Sequence, residues 1–276
     1  MPTYKLILAY DGTRYAGWQR QPNAVAVQNV LDDALARIAG EFVRTTGSSR
    51  TDSGVHAFGQ VVGLSLAKDM PADALCRALN AMLDDDVVVR SAEVVSDDFD
   101  AIRSARRKRY RYVIRDGDER GAFDRAFVWH VRRPLDAAAM HEAGQSLVGT
   151  HDFTSFQTAG SERQSTVRTI YELSVRRGDA GLLAAPIDAK NEPDALANEM
   201  PSGPLIAIEV EGNGFLYNMV RAIAGTLVEV GRGKRGVHWP GEALAACDRS
   251  AAGPTAPPQG LFLLRVDMDD APGTSA

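Results

Sequence analysis

Reactive side chains are concentrated in the stretch from Gly47 to Gln60, GSSRTDSGVHAFGQ. Arg50 and Asp52 lie two residues apart among several hydroxyl groups, and His56 follows them. A neighbouring cation favours the charged form of a carboxyl group, so Asp52 is expected to be ionised. It could then act as a nucleophile, a base or a metal ligand. The spacing alone is equally compatible with an inert salt bridge within a loop.

A second group of candidate residues is a run of basic side chains. Seven cations occur in thirteen residues with no acid among them: Arg103, Arg106, Arg107, Lys108, Arg109, Arg111 and Arg115. The whole chain has a net charge of −5, and without this run it has 24 basic and 36 acidic residues. A local basic stripe on an acidic body can bind phosphates, although a solvated linker face would have the same composition.

Aromatic residues lie within and before these basic positions. The strand around Tyr110 alternates, so Tyr110, Tyr112 and Ile114 share one face, and Arg109 and Arg111 share the other. This pattern would suit aromatics facing a pocket and cations facing a polyanion, but strand tyrosines are also common in cores. The segment RYAGWQRQP, which includes Arg14 and Arg20, would suit stacking and phosphate contact or a packed surface loop.

Hydrophobic periodicity predicts the elements that position these residues. Strands are predicted over 4–10, 41–46, 58–66, 87–94, 109–114, 127–131, 169–176, 182–187, 205–210 and 260–266. Helices are predicted over 27–39, 69–83, 136–147 and 215–230. The residues 150–156 are predicted to form a loop, the acids 84–86 a solvated turn, and 188–204 a polar insertion.

The element order predicts an α+β fold of two similar ferredoxin-like, split βαβ halves. We expect one mixed, mostly antiparallel sheet with helices on one side. The predicted domains are 1–104, with the Asp52 loop, and 105–268, with the tyrosine strand and the basic stripe. A disordered tail is expected over 269–276.

Composition restricts the possible classes of protein. Two cysteines give neither a disulfide framework nor zinc spacing, and there is no dinucleotide fingerprint. The first residues lack the features of a signal peptide, and no apolar run approaches the ~20 residues of a membrane span. We therefore expect a soluble, cytoplasmic protein without a metal or cofactor.

Three segments resemble the tRNA pseudouridine synthase A family. The string Arg50–Ala57, followed by Gly59-Gln60-Val61, closely resembles the active-site motif of that family. Asp11–Gln21 resembles its N-terminal signature, and FLYNMVRAIAGTLVEVGRG its C-terminal one. The chain departs from the usual pattern at three positions: Ser49 stands for Gly, Ser53 for Ala, and Ile102 for a cation.

The resemblance implies isomerisation of uridine to pseudouridine in the anticodon stem-loop of tRNA, at positions 38 to 40. Asp52 would be the catalytic nucleophile, with its first step open between attack on C1′, addition to C6 and removal of a sugar proton. Arg50 would keep Asp52 ionised and help to extrude the base, and Tyr110 would stack on the flipped uracil. The resemblance also implies a homodimer, and an RNA-binding cleft between the halves.

Further basic residues are expected to take part in RNA binding. Arg221 is a cation in an apolar helix and needs a partner, and we expect it to face Asp52 or the RNA backbone. The residues expected to contact the RNA backbone are Arg14, Arg20, Arg106, Arg107, Lys108 and Arg109.

Two alternatives stay open. A non-catalytic RNA-binding protein would use the same basic and aromatic residues, with Asp52 in a structural role. A hydrolase would use Ser49 or Ser53 with His56 and Asp52, although triad residues normally come from separated segments.

Overall fold

The computed structural model describes residues 1–158, 165–184 and 203–269. It confirms the predicted α+β class, with mixed and mostly antiparallel strand pairing. The tertiary contacts divide the chain into two compact units, one of Met1–Lys108 with the residues from Phe262 onward, and one of Arg109–Leu261. The predicted boundary, between residues 104 and 105, lies four residues earlier, and the predicted second half includes the last strand.

The first unit has the split βαβ arrangement. Its elements are β1 (Thr3–Tyr10), α1 (Val27–Ala39), β2 (Thr46–Gly47), β3 (His56–Ser65), α2 (Ala72–Asn80), β4 (Val87–Val95) and β10 (Leu261–Met268). Strand β1 lies between β3 and β4 and is antiparallel to both, so β3 and β4 are parallel to each other across it. Strand β2 pairs with β3 in an antiparallel manner, and the start of β10 pairs with the start of β3 in a parallel one.

Sequence periodicity explains these elements. Along β1 alternate residues are fully buried, including Leu6 and Leu8, as expected for a strand with one face on the core. Helix α1 buries Leu31 and Leu35 at helical spacing, and it ends where Gly40 takes the left-handed conformation, with φ of 77°.

The second unit repeats the order of strands. Its elements are the greater part of β5 (Ala105–Asp116), then β6 (Trp129–Val131), α3 (Ala137–Gly144), β7 (Gly149–Asp152), β8 (Val167–Gly178), β9 (Leu205–Gly212), α4 (Met219–Gly231) and α5 (Trp239–Ala246). Strand β9 lies between β5 and β8, and β7 forms the edge of the sheet. In the first unit, β3 pairs in the same way with two neighbours, β1 and β2. Among the described residues, the second unit has no strand after α4, because β10 lies almost wholly in the first unit.

Several predicted elements differ in the structure. The strand predicted over 41–46 is reduced to β2, because the carbonyl of Thr45 accepts a hydrogen bond from the Gln28 side chain. The predicted loop over 150–156 contains the edge strand β7 and a 3₁₀ turn, Thr154–Phe156. The helix predicted from Phe215 begins at Met219, because Asn218 has φ of 60°.

Two further differences concern helical segments. The described part of the strand predicted over 182–187 belongs to a 3₁₀ turn, Ala180–Leu183, which is capped by Asp179. Helix α5 was not predicted from the sequence. Residues 185–187, most of the predicted insertion over 188–204, and residues 270–276 of the predicted tail lie outside the described residues.

None of the helices in the described ranges is long and apolar enough to cross a membrane.

Candidate active site

The residues 48–55 form the loop between β2 and β3. Ser48, Ser49 and Thr51 are buried, whereas Arg50 is exposed and Asp52 is half-buried. The loop therefore packs its small hydroxyl residues inward and holds a carboxylate at the boundary with solvent. Such a position suits a group that must meet an external substrate while its backbone stays fixed.

The side chain of Gln60 fixes the base of this loop. Gln60 is fully buried on β3. Its amide oxygen accepts hydrogen bonds from the Ser48 hydroxyl at 3.0 Å and the Ser49 N–H at 3.2 Å, and its amide nitrogen donates to the Ser49 carbonyl at 2.5 Å. One side chain thus satisfies both backbone groups of Ser49, which have no strand partner.

The loop that follows β1 holds the other side of the Asp52 loop. The Trp18 N–H donates to the Thr51 carbonyl at 3.1 Å, and the Gly54 N–H donates to the Tyr15 carbonyl at 3.3 Å. The hydroxyls of Tyr10 and Thr51 are 2.8 Å apart in a buried hydrogen bond. Asp52 therefore lies between residues that are anchored on both sides.

Two glycines allow these loops to approach each other. A Cβ atom on Gly12 would lie 2.0 Å from the Val55 carbonyl oxygen, and one on Gly17 would lie 2.5 Å from the Thr51 carbonyl oxygen. Gly17 also has φ of 88°. The sequence motifs that contain Gly12 and Gly17 are thus physically coupled to the Asp52 motif.

His56 joins the same two loops. It is buried, its Nδ1 accepts a hydrogen bond from the Gly12 N–H at 3.0 Å, and its ring stacks on Phe262 with centroids 4.8 Å apart. The Ser53 hydroxyl donates to the Tyr15 carbonyl, and the buried Ser49 hydroxyl has no hydrogen-bond partner among the described residues. Neither serine is thus hydrogen-bonded to His56, which removes the geometry that a hydrolase would need.

The side chain of Arg50 is exposed, where water competes for its hydrogen bonds. Its pairing with the Asp52 carboxylate stays a prediction.

The predicted phosphate-binding residues of the loop after β1 have acidic neighbours. Arg14 pairs with Asp86 at 2.7 Å and Asp84 at 3.2 Å, and Arg20 lies 3.7 Å from the buried Asp32. The acids 84–86 are therefore not only a solvated turn, because Asp86 also accepts from the Tyr15 hydroxyl at 2.7 Å. Burial, followed by this contact with Asp86, raises the pKa of Tyr15 to about 12.

The basic segment reaches the Asp52 loop through Lys108. The Lys108 ammonium donates to the Ser48 carbonyl at 2.6 Å. Arg106 and Arg107 are exposed, and Arg106 forms an ion pair with Asp269. Lys108 is half-buried, whereas Arg106 and Arg107, which precede it in the run, are exposed.

In the second unit Tyr110 is buried on β5. Its ring packs edge to face against Phe215, with centroids 5.2 Å apart and planes at 84°. Arg221 on α4 donates from Nε to the Ala256 carbonyl at 2.8 Å and from a terminal nitrogen to the Asn218 side-chain oxygen at 2.7 Å. These two contacts hold the half-buried guanidinium in place beside α4.

The opposite face of β5 is directed toward carboxylates. Arg109 and Arg111 both bind the buried Glu209, at 2.9 Å and 2.7 Å, and Arg109 also binds Glu172 at 3.1 Å. The alternation of residues along β5 is as predicted, but the charges of these arginines are balanced inside the protein. A polyanion outside the protein is not needed to account for them.

The described residues contain no group of three or more His, Cys, Asp or Glu side chains that could hold a metal ion.

The chain is similar in sequence to known proteins. A family model described as tRNA pseudouridine synthase matches residues 6–102 and 143–269. The proteins named tRNA pseudouridine synthase A from Thermoanaerobacter sp. (strain X514) and Geobacter sulfurreducens are each 43% identical over 266 residues, covering 96% of this chain and 99% of theirs. The protein of that name from Myxococcus xanthus is 42% identical over 272 residues, covering 99% of this chain and 94% of its own.

Proposed function

The chain belongs to the tRNA pseudouridine synthase family of isomerases, and we propose that it converts uridine to pseudouridine in the anticodon stem-loop of tRNA, at positions 38 to 40. The observation that carries this proposal is the similarity to tRNA pseudouridine synthase A along nearly the whole chain. In this reaction the bond from N1 to C1′ breaks and a bond from C5 to C1′ forms. C5 loses a proton and N1 gains one, so no redox partner is required.

We propose that Asp52 supplies the nucleophilic carboxylate. Two features support this role: the residue is partly accessible, and its loop is fixed by Gln60, Tyr15 and Trp18. A carboxylate on a fixed backbone needs little reorganisation before it reacts with the sugar or the base.

Base recognition is assigned to an aromatic side chain and to exposed cations. A base in a stem must leave the helical stack, at a cost of a few kcal/mol, before chemistry can reach its C5 atom. We propose that Tyr110 stacks on the flipped uracil, that Arg50 helps to extrude it, and that Arg221 contributes to binding. The exposed side chains of Arg14, Arg20, Arg106 and Arg107, with Lys108, would contact backbone phosphates.

Arg109 is left out of the proposed phosphate contacts. Its guanidinium is bound to Glu209 and Glu172, and its side chain is only 19% exposed. A structural role in the second unit is sufficient to explain it.

The same proposal extends to assembly and location. By similarity to the family we propose a homodimer whose tRNA contacts both subunits. A tRNA substrate is met in the cytoplasm, where we propose that the protein acts.

The test is release of tritium from anticodon stem-loop RNA labelled at uracil C5. The wild type should release tritium, and Asp52→Ala should reduce the rate by at least about 10³-fold, as expected when a principal catalytic group is removed. Asp33→Ala, which removes an exposed carboxylate on α1, is the matched control and should leave the rate unchanged.

Binding measurements on the same RNA separate the possible outcomes. Retained RNA binding by Asp52→Ala would show that the loss lies in the chemical step. If the wild type binds the RNA but releases no tritium, the non-catalytic RNA-binding alternative is favoured. If Asp52→Ala is as fast as the wild type, another group performs the reaction.

A further inference from the structure

Two neighbouring loops of the second unit carry a set of cations that the proposed function does not use. One loop joins β6 to α3, and the other joins α4 to α5. Together they form what we call the second basic surface, defined by Arg132, Arg133, Arg232, Lys234 and Arg235. None of these residues belongs to the basic run of 103–115.

Backbone contacts hold the two loops side by side. The Asp136 N–H donates to the Gly231 carbonyl at 2.9 Å. A Cβ atom on Gly231 would lie 3.4 Å from the Cβ of Leu135, so the chains touch next to Arg133 and Arg232. The first loop is also tied to β5, because the Gly117 N–H donates to the Val131 carbonyl at 3.0 Å. The cations are therefore presented on a fixed scaffold.

The charge of this surface is only partly balanced. Arg132 and Arg133 are exposed, and neither has a carboxylate partner among the described residues. Glu229 alone serves both Arg232, at 2.7 Å, and Lys234, at 3.0 Å.

Arg235 and Asp136 are the remaining charged residues of the two loops, and the surface stays positive when both are counted. Arg235 lies over the ring of Trp239 at 4.8 Å, which orients the guanidinium without neutralising it. Asp136, the other acid at these loops, accepts a hydrogen bond from the N–H of Ala139 at the start of α3. The second basic surface is thus positive on a chain whose net charge is −5.

The second basic surface lies away from Tyr110 along the same strand. Asp116 ends β5, and its carboxylate accepts from the Leu135 N–H at 2.8 Å, which places the surface at that end. Asp116 is six positions beyond Tyr110 on β5, a distance of roughly 20 Å along an extended strand.

We propose that the second basic surface binds phosphates of the tRNA body, outside the anticodon stem-loop. This inference rests on the proposed function, because it takes tRNA as the ligand. Arginine guanidinium groups pair well with phosphate oxygens, and such contacts position an RNA without reading its sequence. The surface would therefore make the enzyme bind a whole tRNA more tightly than an isolated stem-loop.

The experiment compares a whole unmodified tRNA transcript with the isolated anticodon stem-loop RNA in equilibrium binding over a series of salt concentrations. The variants are Arg132→Ala/Arg133→Ala and Lys234→Ala/Arg235→Ala. Arg37→Ala/Lys68→Ala, which removes two exposed cations from the first unit, is the charge-matched control. The first variant breaks no ion pair among the described residues, so its fold should be preserved, and thermal unfolding checks this.

Each surface variant should weaken binding of whole tRNA by on the order of tenfold, and reduce the salt dependence by about 0.7 to 0.9 per lost contact. Binding of the stem-loop should stay the same, and the control should match the wild type with both RNAs. Unchanged whole-tRNA binding would mean a solvated face or a protein partner, and would overturn the inference. Equal weakening with both RNAs would also overturn it.

Tritium release by the wild type is measured in parallel. If release is absent while the surface variants still weaken binding of whole tRNA selectively, the proposed function fails and the RNA-binding surface stands. The two proposals can therefore fail separately.

Discussion

At the scale of single residues, Gln60 stabilises the loop that carries Asp52, although its own side chain is a neutral amide. It takes no part in the proposed reaction, yet it accepts or donates three hydrogen bonds at the base of the Asp52 loop. Buried backbone groups that lose their partners cost about 1 to 3 kcal/mol each. The position of the Asp52 carboxylate therefore depends on a neutral amide on the next strand.

Gln60→Ala should lower the free energy of unfolding by about 3 kcal/mol, because the N–H and carbonyl of Ser49 and the Ser48 hydroxyl lose their partner. The rate of tritium release should fall in parallel, since the loop that holds Asp52 is no longer fixed. Urea denaturation and single-turnover kinetics measure the two effects.

Gln21→Ala is the matched control for Gln60→Ala. The Gln21 amide donates to the Ala16 carbonyl in an exposed hydrogen bond, so its loss should cost less than about 0.5 kcal/mol. Equal effects of the two substitutions would contradict the role given to Gln60.

Residue types and spacing were enough to identify Asp52, and the resemblance to a family gave it a role. The supporting contacts were not predictable in the same way. Gln60 and Lys108 reach the loop from a neighbouring strand and from sixty residues away, and no local pattern encodes such contacts.

At the scale of elements, the sheet of the second unit contains a buried ionic cluster. Glu209 on β9 is 3% exposed and binds Arg109 and Arg111 from β5 and Arg176 from β8. Burial, the largest single influence, favours the neutral acid, but the three arginines together outweigh it and lower the pKa of Glu209. The cluster therefore links three strands through one carboxylate.

This lowered pKa has a defined consequence for stability. An acid with a depressed pKa in the folded state stabilises that state fully above its unfolded pKa, here about 4.5. The contribution is lost as the pH falls through the lower folded pKa. Glu209→Gln should destabilise the protein by about 3 to 5 kcal/mol at pH 7, because it leaves three arginines without their shared partner.

The difference between the wild type and Glu209→Gln should shrink as the pH falls below the unfolded pKa of about 4.5 and through the lower folded pKa, because the wild type then loses the same charge. Urea denaturation at several pH values measures it. Glu142→Gln, an exposed change on α3, should be close to neutral throughout. A difference that does not vary with pH would place the stabilising effect elsewhere.

Element prediction succeeded where one face of a segment is clearly apolar. Helix α1 has the predicted bounds, and β1 and β4 differ from prediction by one residue at an end. The prediction failed where tertiary contacts determine whether a segment is a strand or where a helix begins. Strand β7 lies at the sheet edge and carries mostly polar residues, and α4 begins late because Asn218 takes a left-handed conformation. Local periodicity contains neither kind of information.

At the scale of the whole molecule, the structure separates the basic run into two groups with different surroundings. Arg109, Arg111 and Arg115 lie in the second unit and pair with Glu209 or Asp124. Arg106 and Arg107 lie in the first unit and are exposed. Net charge and clustering predicted a phosphate-binding stripe, but only pairing reveals which cations are accessible to a polyanion.

This division predicts how RNA binding responds to salt. Arg106→Ala/Arg107→Ala should lower the slope of log affinity against log salt by between about 1 and 2, because each exposed arginine that meets a phosphate releases one counterion or slightly less. The ion pair between Arg106 and Asp269 does not oppose this, since both side chains are exposed and such pairs are weak. The isolated anticodon stem-loop serves as ligand. Arg37→Ala/Lys68→Ala makes the same change in net charge outside the basic run, so it should leave the slope unaltered. An equal decrease of the slope in both variants would mean that total charge, rather than Arg106 and Arg107, governs binding.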